Sequence, residues 1–173
     1  SLMADEKKAY FAGGCFWCVE EAFEKTTGVS EVKSGYTGGH LKNPTYEQVT
    51  HEDTGHYEAV EVSYDPNQIS YDQLLEIFWK NIDPFDAQGQ FCDKGSSYLS
   101  AVFYQNEREK EAFNKSKENL KIDKSQIATH LKPFETFYAA EDYHQDFYKK
   151  NPLRYKFYKS SCGRAPRLKK IWG

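Results

Sequence analysis

The 173-residue sequence lacks the features that mark several large classes of protein. No apolar run approaches the roughly 18 residues that a membrane-crossing helix needs, so no membrane partner is expected. With 23 Lys and Arg against 26 Asp and Glu, the formal charge is -3, and no dense basic face signals nucleic acid. The basic cluster near the C-terminus, Arg164, Arg167, Lys169 and Lys170, reads as a solvated end. Repeats, low-complexity stretches and composition breaks are missing, which leaves one domain over residues 1–173. Cysteine is sparse (Cys15, Cys18, Cys92 and Cys162). A chain of this length builds a core without a disulfide framework, so redox or metal chemistry is the economical use of those residues. A secretory signal pattern is missing too. The opening SLMADEKK reads as a vector remnant ahead of an initiating Met3 or as a trimmed native end, with residues 1–7 flexible; whether a leader was removed stays open.

What the sequence does have is rings. Aromatics make up 16% of it within a hydrophobic share of 39%, which suits a ring-lined core and pocket. Residues 8–12 read as a short strand running into Gly13-Gly14, and the stretch from Cys15 as a helix stopped near Gly28. Cys15, Cys18 and Ala22 share one helical face, with Phe16, Val19 and Phe23 beside it. The N–H groups and partial positive charge of a helix start favour a thiolate at Cys15. Residues 31–49 read as a strand and then a Gly-, Asn- and Pro-rich loop. Residues 56–66 form the clearest strand, and 70–83 an amphipathic helix with Leu74, Leu75, Phe78 and Ile82 inward. A long loop, a strand over 98–104, a charged helix, one or two strands, a short helix from Glu141 and an irregular tail from Asn151 complete the reading. Strands alternating with helices suggest an α/β sandwich, an α+β fold with a mixed sheet. The loops at 37–48 and 84–97 are long for structureless connections, and such loops are more often functional.

Alternation along the strand from His56 puts Glu58, Val60, Val62 and Tyr64 on one face. A carboxyl on a mostly apolar face is driven towards its neutral form, which suits a general acid. A frayed strand end pointing into water is the equally open alternative. The C-x-x-C of Cys15 and Cys18 admits three accounts. Zinc would need further ligands; His51 and His56 are formally spaced for it, but His56 opens a strand and no second C-x-x-C is present. A thioredoxin-type dithiol fits the spacing, although Phe16-Trp17 is bulkier than the residues such motifs carry. The third account is one nucleophilic thiol, Cys15, with Phe16 and Trp17 walling a pocket; ordinary core packing of those rings competes with it.

GCFW after a short strand, then in order SGYTGG, NPTYEQV, TGHYEAVEV, YDP with LLEIFW, DKGSSYLSAVFY and EDYHQDFYKKNP, resembles the peptide methionine sulfoxide reductase A family from about residue 8 onward. The resemblance implies reduction of the S epimer of methionine sulfoxide, free or protein-bound, in the repair of oxidative damage. Cys15 matches the nucleophile, Phe16 and Trp17 the wall for the substrate's methyl group, and Glu58 the acid. Tyr46 and Tyr98 match phenols that bind the sulfoxide oxygen, and Asp93 a carboxylate that orders the site. The implied cycle leaves Cys15 as a sulfenic acid, which condenses with a second thiol. Thioredoxin or another dithiol then reduces the disulfide, with no metal or organic cofactor. A monomer in the cytoplasm is expected, with thioredoxin and oxidised proteins or peptides as partners.

The sequence departs from the family pattern at Cys18, where glycine is usual, and at Cys92, where many members have asparagine. Cys162, in what reads as a mobile tail, KSSCGRAP, matches a recycling cysteine. It is expected to resolve the sulfenic acid ahead of Cys18, whose bridge to Cys15 would strain the helix start. Cys92 is expected to be an ordinary packed cysteine. The expected architecture is a ferredoxin-like two-layer arrangement with an irregular tail over 151–173. The runner-up function is a general thiol–disulfide oxidoreductase using Cys15 and Cys18, for which Glu58, Tyr46 and Tyr98 would be dispensable. A non-catalytic module binding oxidised segments would instead tolerate Cys15→Ser.

Overall fold

The first strand, β1 (Lys7–Gly13), is buried from Ala9 onward, so both of its faces are covered. The computed structural model describes residues 5–173; the reading of residues 1–3 as vector-derived lies outside them. In chain order follow α1 (Phe16–Glu24), β2 (Val29–Thr37), α2 (Tyr46–His51), β3 (Tyr57–Tyr64), α3 (Tyr71–Lys80), β4 (Gly89–Gln90), β5 (Asp93–Lys94), β6 (Ser100–Tyr104) and α4 (Glu107–Glu118). Then come β7 (His130–Pro133), β8 (Phe137–Ala139), α5 (Phe147–Lys150), α6 (Pro152–Ser161) and α7 (Arg164–Trp172).

Six strands form one mixed sheet in the order β7-β6-β1-β3-β2-β8. The pairs are antiparallel except β6 with β7, which is parallel. Its centre, β1-α1-β2-β3-α3-β6 with strand order β6-β1-β3-β2, is the expected ferredoxin-like unit. The α+β class of the sequence reading is borne out. On one face Phe11, Val32, Val60 and Val62 meet Phe23 of α1, Leu74, Leu75 and Phe78 of α3, and Phe113 of α4. Phe11 stacks on Phe23 and on Phe78 at 5.0 and 5.4 Å between ring centres. Each ring so buried contributes about 2–3 kcal/mol. On the other face Tyr10, Ala12, Tyr57, Ala59, Ala101 and Phe103 are covered by Phe134 and Phe137. That double cover explains why β3 is buried almost throughout although its sequence alternates.

Three segments differ from the sequence reading. Residues from Tyr46 form a helix rather than loop, because the Thr45 side chain accepts from the Gln48 N–H while the Gln48 side chain accepts from the Thr45 N–H. The tail is not irregular. Pro152 opens α6, Gly163 turns the chain in the left-handed region at φ 75°, and α7 runs to Trp172. Tyr155 and Arg164 are buried, and the Trp172 indole N–H donates to the Ile82 carbonyl at 3.1 Å. The tail is therefore packed onto the domain. The loop after Pro84 folds into the small β4-β5 hairpin and a short helical turn, Ser96–Tyr98.

Candidate active site

Gly13-Gly14 carries the chain from β1 into α1 and fixes where Cys15 sits. Gly14 has φ 86°, and a Cβ there would lie 2.5 Å from that of Gln90, so only glycine fits. Gln90 is immobile: its amide accepts from the Asp83 N–H at 2.8 Å and donates to the Asp83 carbonyl at 2.7 Å. Cys15 takes the N-cap position of α1 and Cys18 the third helical position, with the Cys18 N–H donating to the Cys15 carbonyl at 3.2 Å. Both are free thiols and both are buried.

A cavity of about 320 Å³ opens above Cys15. Its lining includes Phe16, Trp17, Tyr46, Glu58, Asp93 and Tyr98, every expected site residue except Cys18 and Cys162. Glu58 comes from β3 and is 1% exposed, which rules out the frayed-end alternative. One of its oxygens accepts from the Phe16 N–H at 3.1 Å; the other is buried without a partner. Burial above all pushes its pKa up to about 8, with the Asp93 charge adding and the Phe16 N–H and Tyr98 opposing. Glu58 is thus a neutral acid at pH 7, with a proton to give. Burial and the Glu58 charge also raise Tyr46, to about 12, and Tyr98, so both phenols keep their protons.

The rings beside Cys15 are held differently. Phe16 is 1% exposed and packs against Tyr36, Tyr46 and His144. Trp17 stacks on Phe147 of α5 at 3.7 Å, and its indole N–H donates to His144 Nδ1 at 3.0 Å. Burial lowers His144 to about 4. It is neutral, with Nδ1 as acceptor, and Trp17 is fixed as a flat wall.

The cysteines depart from the sequence reading. Cys15 is not a ready thiolate: burial pushes its thiol up, helped by Cys18 and the Glu58 charge, while Tyr158 opposes. Cys18 is lowered, chiefly by hydrogen bonding with Cys15 and also by Arg164, Tyr155 and Lys159. The first proton lost from this pair is therefore lost at Cys18. Cys92 is not an ordinary packed thiol but is disulfide-bonded to Cys162, with the Cα atoms 5.0 Å apart. Cys162 lies at the end of α6 rather than in a mobile tail.

Sequence reasoning missed what α6 and α7 bring. Arg154, Phe157, Tyr158 and Ser161 line the cavity from α6. Arg164, at the start of α7, donates to the Gly13 carbonyl at 2.9 Å, and its guanidinium lies 4.4 Å from the Phe91 ring centre. It clamps the glycine turn to the β4-β5 hairpin. The available signals were the Asn151-Pro152 helix start and the four-residue spacing of Tyr158 from Cys162.

A ferredoxin-like domain whose pocket pairs a buried cysteine with a neutral carboxylic acid and two phenols has the parts of a cysteine-dependent enzyme. The sequence pattern of one family, peptide methionine sulfoxide reductase, matches residues 7–173. The chain belongs to that family. It is 50% identical over 175 residues to the peptide methionine sulfoxide reductase MsrA of Bacillus subtilis strain 168, covering 99% of each chain. Among solved structures it resembles reduced Mxr1 from Saccharomyces cerevisiae, with a TM-score of 0.80, 32% identity and coverage of 85% of this chain and 86% of that one. Mxr1 in complex with Trx2 is similar at a TM-score of 0.57 and 25% identity, over 82% of this chain and 84% of the other.

Proposed function

We propose that the protein reduces the S epimer of methionine sulfoxide, free or within oxidised proteins, to methionine, with Cys15 as nucleophile and Glu58 as acid. The observation that carries this reading is Glu58, with one buried oxygen unpartnered, lining the same cavity as Cys15. A sulfoxide becomes a good electrophile once its oxygen is protonated or strongly hydrogen-bonded. Neutral Glu58 supplies the proton, and the Tyr46 and Tyr98 hydroxyls hold the oxygen as donors hold an oxyanion. The substrate's methyl group rests on Phe16 and Trp17. That one-sided wall lets only one epimer aim its oxygen at Glu58.

The Cys15 thiolate attacks sulfur, methionine leaves, and the oxygen stays on Cys15 as a sulfenic acid. Condensation with a second thiol forms a disulfide and releases water. Three observations support Cys18 rather than Cys162 as that thiol. Cys18 lies one turn from Cys15, its N–H on the Cys15 carbonyl at 3.2 Å, its pKa is lowered, and Cys162 is joined to Cys92. The N-cap and third helical position are those a capping side chain bridges, so the bridge leaves the helix start intact. A thioredoxin-like dithiol then reduces it; the complex of similar Mxr1 with Trx2 supports that partner. The need for such a reductant favours the cytoplasm, and the protein acts as a monomer without metal or organic cofactor.

A single turnover of the pre-reduced protein with excess racemic methionine sulfoxide tests the reading. One equivalent of methionine made from the S epimer, and lost in Cys15→Ser, is expected. Cys18→Ser should still release its equivalent but stall in steady turnover, whereas Cys162→Ser should keep cycling. A protein that makes no methionine yet reduces disulfides would instead be a general oxidoreductase.

A further inference from the structure

We propose that the rim of the cavity selects methionine sulfoxide within a polypeptide that carries a large apolar side chain next to the oxidised residue, with Phe157 and Leu153 of α6 as the specificity-determining residues; the preference rests on the sulfoxide reduction inferred above. Among the described residues the large hydrophobic side chains left exposed are Tyr143, Leu153 and Phe157, and Leu153 is 83% and Phe157 75% exposed. A lone apolar side chain at a surface is ordinary. These two are not alone: they lie one turn apart on α6 and so are neighbours on its surface. Phe157 also lines the cavity above Cys15. The apolar patch is therefore continuous with the pocket that seats the sulfoxide, and an apolar surface in that position marks a binding site.

The period of the helix sets this face. Arg154, Phe157, Tyr158 and Ser161, spaced i, i+3, i+4 and i+7, line the cavity. Leu153 extends the row by one turn towards the helix start. The inner face is fastened to the domain. The Tyr155 hydroxyl donates to a Glu21 oxygen of α1 at 2.6 Å, Lys159 pairs with the same carboxylate at 2.9 Å, and Cys162 is bonded to Cys92. The rim is thus in place before a substrate arrives, so little ordering cost falls on the protein when it is covered.

The cavity takes the oxidised side chain, and whatever flanks that residue meets the rim. Free methionine sulfoxide brings a carboxylate there, which loses water against a ring and a leucine without gaining a partner from them. A polypeptide brings neutral amides and the side chain of the next residue. A large apolar neighbour covers Phe157 and Leu153 and removes water from both surfaces. The one cation lining the cavity among the described residues, Arg154, lies over the Phe147 ring at 5.7 Å from its centre. A free carboxylate that engaged it would reverse the preference.

Steady-state reduction of S-epimer probes, with dithiothreitol as reductant, tests the selection. The probes are free methionine sulfoxide and three tripeptides capped at both ends, with the sulfoxide in the middle: one with glycine on both sides, one with phenylalanine before it and one with phenylalanine after it. In the wild type the better phenylalanine peptide should exceed the glycine peptide about tenfold in kcat/KM, chiefly through KM, the gain from covering roughly 50–60 Å² of apolar surface. The free amino acid should fall below both. Leu153→Ser combined with Phe157→Ser should bring the phenylalanine-to-glycine ratio to twofold or less. The ratio compares two substrates on one protein, so any loss of folded protein or of thiol chemistry cancels in it. A double variant that keeps the tenfold ratio, a wild type indifferent to phenylalanine, or free methionine sulfoxide reduced as well as the phenylalanine peptides would each overturn the selection. A wild-type protein that reduces none of the probes would overturn the sulfoxide reduction itself, which separates the two failures.

Discussion

Replacing Glu58 by glutamine keeps the shape of the side chain and its bond from the Phe16 N–H, 3.1 Å in the wild type, but removes the ionisable group. Burial holds the Glu58 pKa at about 8 against the usual 4.5. Between those values the folded protein keeps a proton that the unfolded chain has lost. The associated stability is fully present below pH 4.5 and disappears as pH rises to about 8. At about 1.36 kcal/mol per pH unit, the whole span amounts to about 5 kcal/mol, a large part of the ~5–15 kcal/mol that holds a domain together. The variant carries no such dependence. Urea unfolding of both proteins at pH 5, 6, 7 and 8 should therefore show the stability difference moving in favour of Glu58→Gln by about 4 kcal/mol from the first pH to the last. Other titrating groups largely cancel in that difference. Single-turnover methionine release should meanwhile fall by roughly 10²–10⁴-fold, because the amide cannot give up a proton. Parallel stability profiles would refute the claim that Glu58 is neutral in the folded protein, and full activity in the variant would refute its use as an acid.

Three further substitutions probe how the site is held. Gly14→Ala must place an alanine at φ 86° with its Cβ 2.5 Å from that of Gln90. Left-handed strain alone costs about 1–2 kcal/mol, so a fall in Tm of at least roughly 2 °C is expected by calorimetry, and an unchanged Tm would show that the turn relaxes freely. Arg164→Met leaves the Gly13 carbonyl, now 2.9 Å from a guanidinium nitrogen, without its partner. A loss of about 2–3 kcal/mol in urea unfolding is expected, with a higher pKa for Cys18 alkylation because the Arg164 charge that lowers it is gone. Trp17→Phe retains a ring over Phe147 but loses the bond to His144. KM should rise roughly fivefold, worth ~1 kcal/mol, with kcat little changed, and a fall in kcat alone would show that the indole acts in the chemistry rather than in seating the substrate.

The central unit was legible because its signals are local. Gly13-Gly14 before a helix, period-two alternation around Glu58 and the inward stripe of α3 each lie within a dozen residues. The helix at Tyr46 had an equally local signal, the Thr45/Gln48 capping pair, but the glycines and prolines around it pointed to a loop. The tail was harder for a physical reason. Leu153 and Phe157 of α6 are 83% and 75% exposed, so the helix carries no clean apolar stripe to announce its inner face. The partner of Cys162 lies 70 residues away, and no spacing rule gives a disulfide pairing at that separation. Whatever depended on that contact, including the position of Tyr158 and the fixed end of α6, was hidden with it.

The two carboxyls of the pocket show why the tail matters to the chemistry. Glu58, on a central strand, accepts from the Phe16 N–H with one oxygen, keeps the other buried without a partner among the described residues, and is left neutral by burial. Burial raises Asp93 as well, but on its hairpin, reached by α6 and α7, the Tyr158 hydroxyl, the Arg164 charge and Lys94 oppose that rise. The two carboxyls of one cavity therefore meet different opposition to burial, because different parts of the chain surround them. The sheet supplies the burial that keeps the proton on Glu58. The C-terminal helices supply the Tyr158 donor and the Arg164 charge that oppose the effect of burial on Asp93. A sulfoxide reductase draws on the first of these, since its substrate's oxygen must gain a proton as the sulfur is attacked.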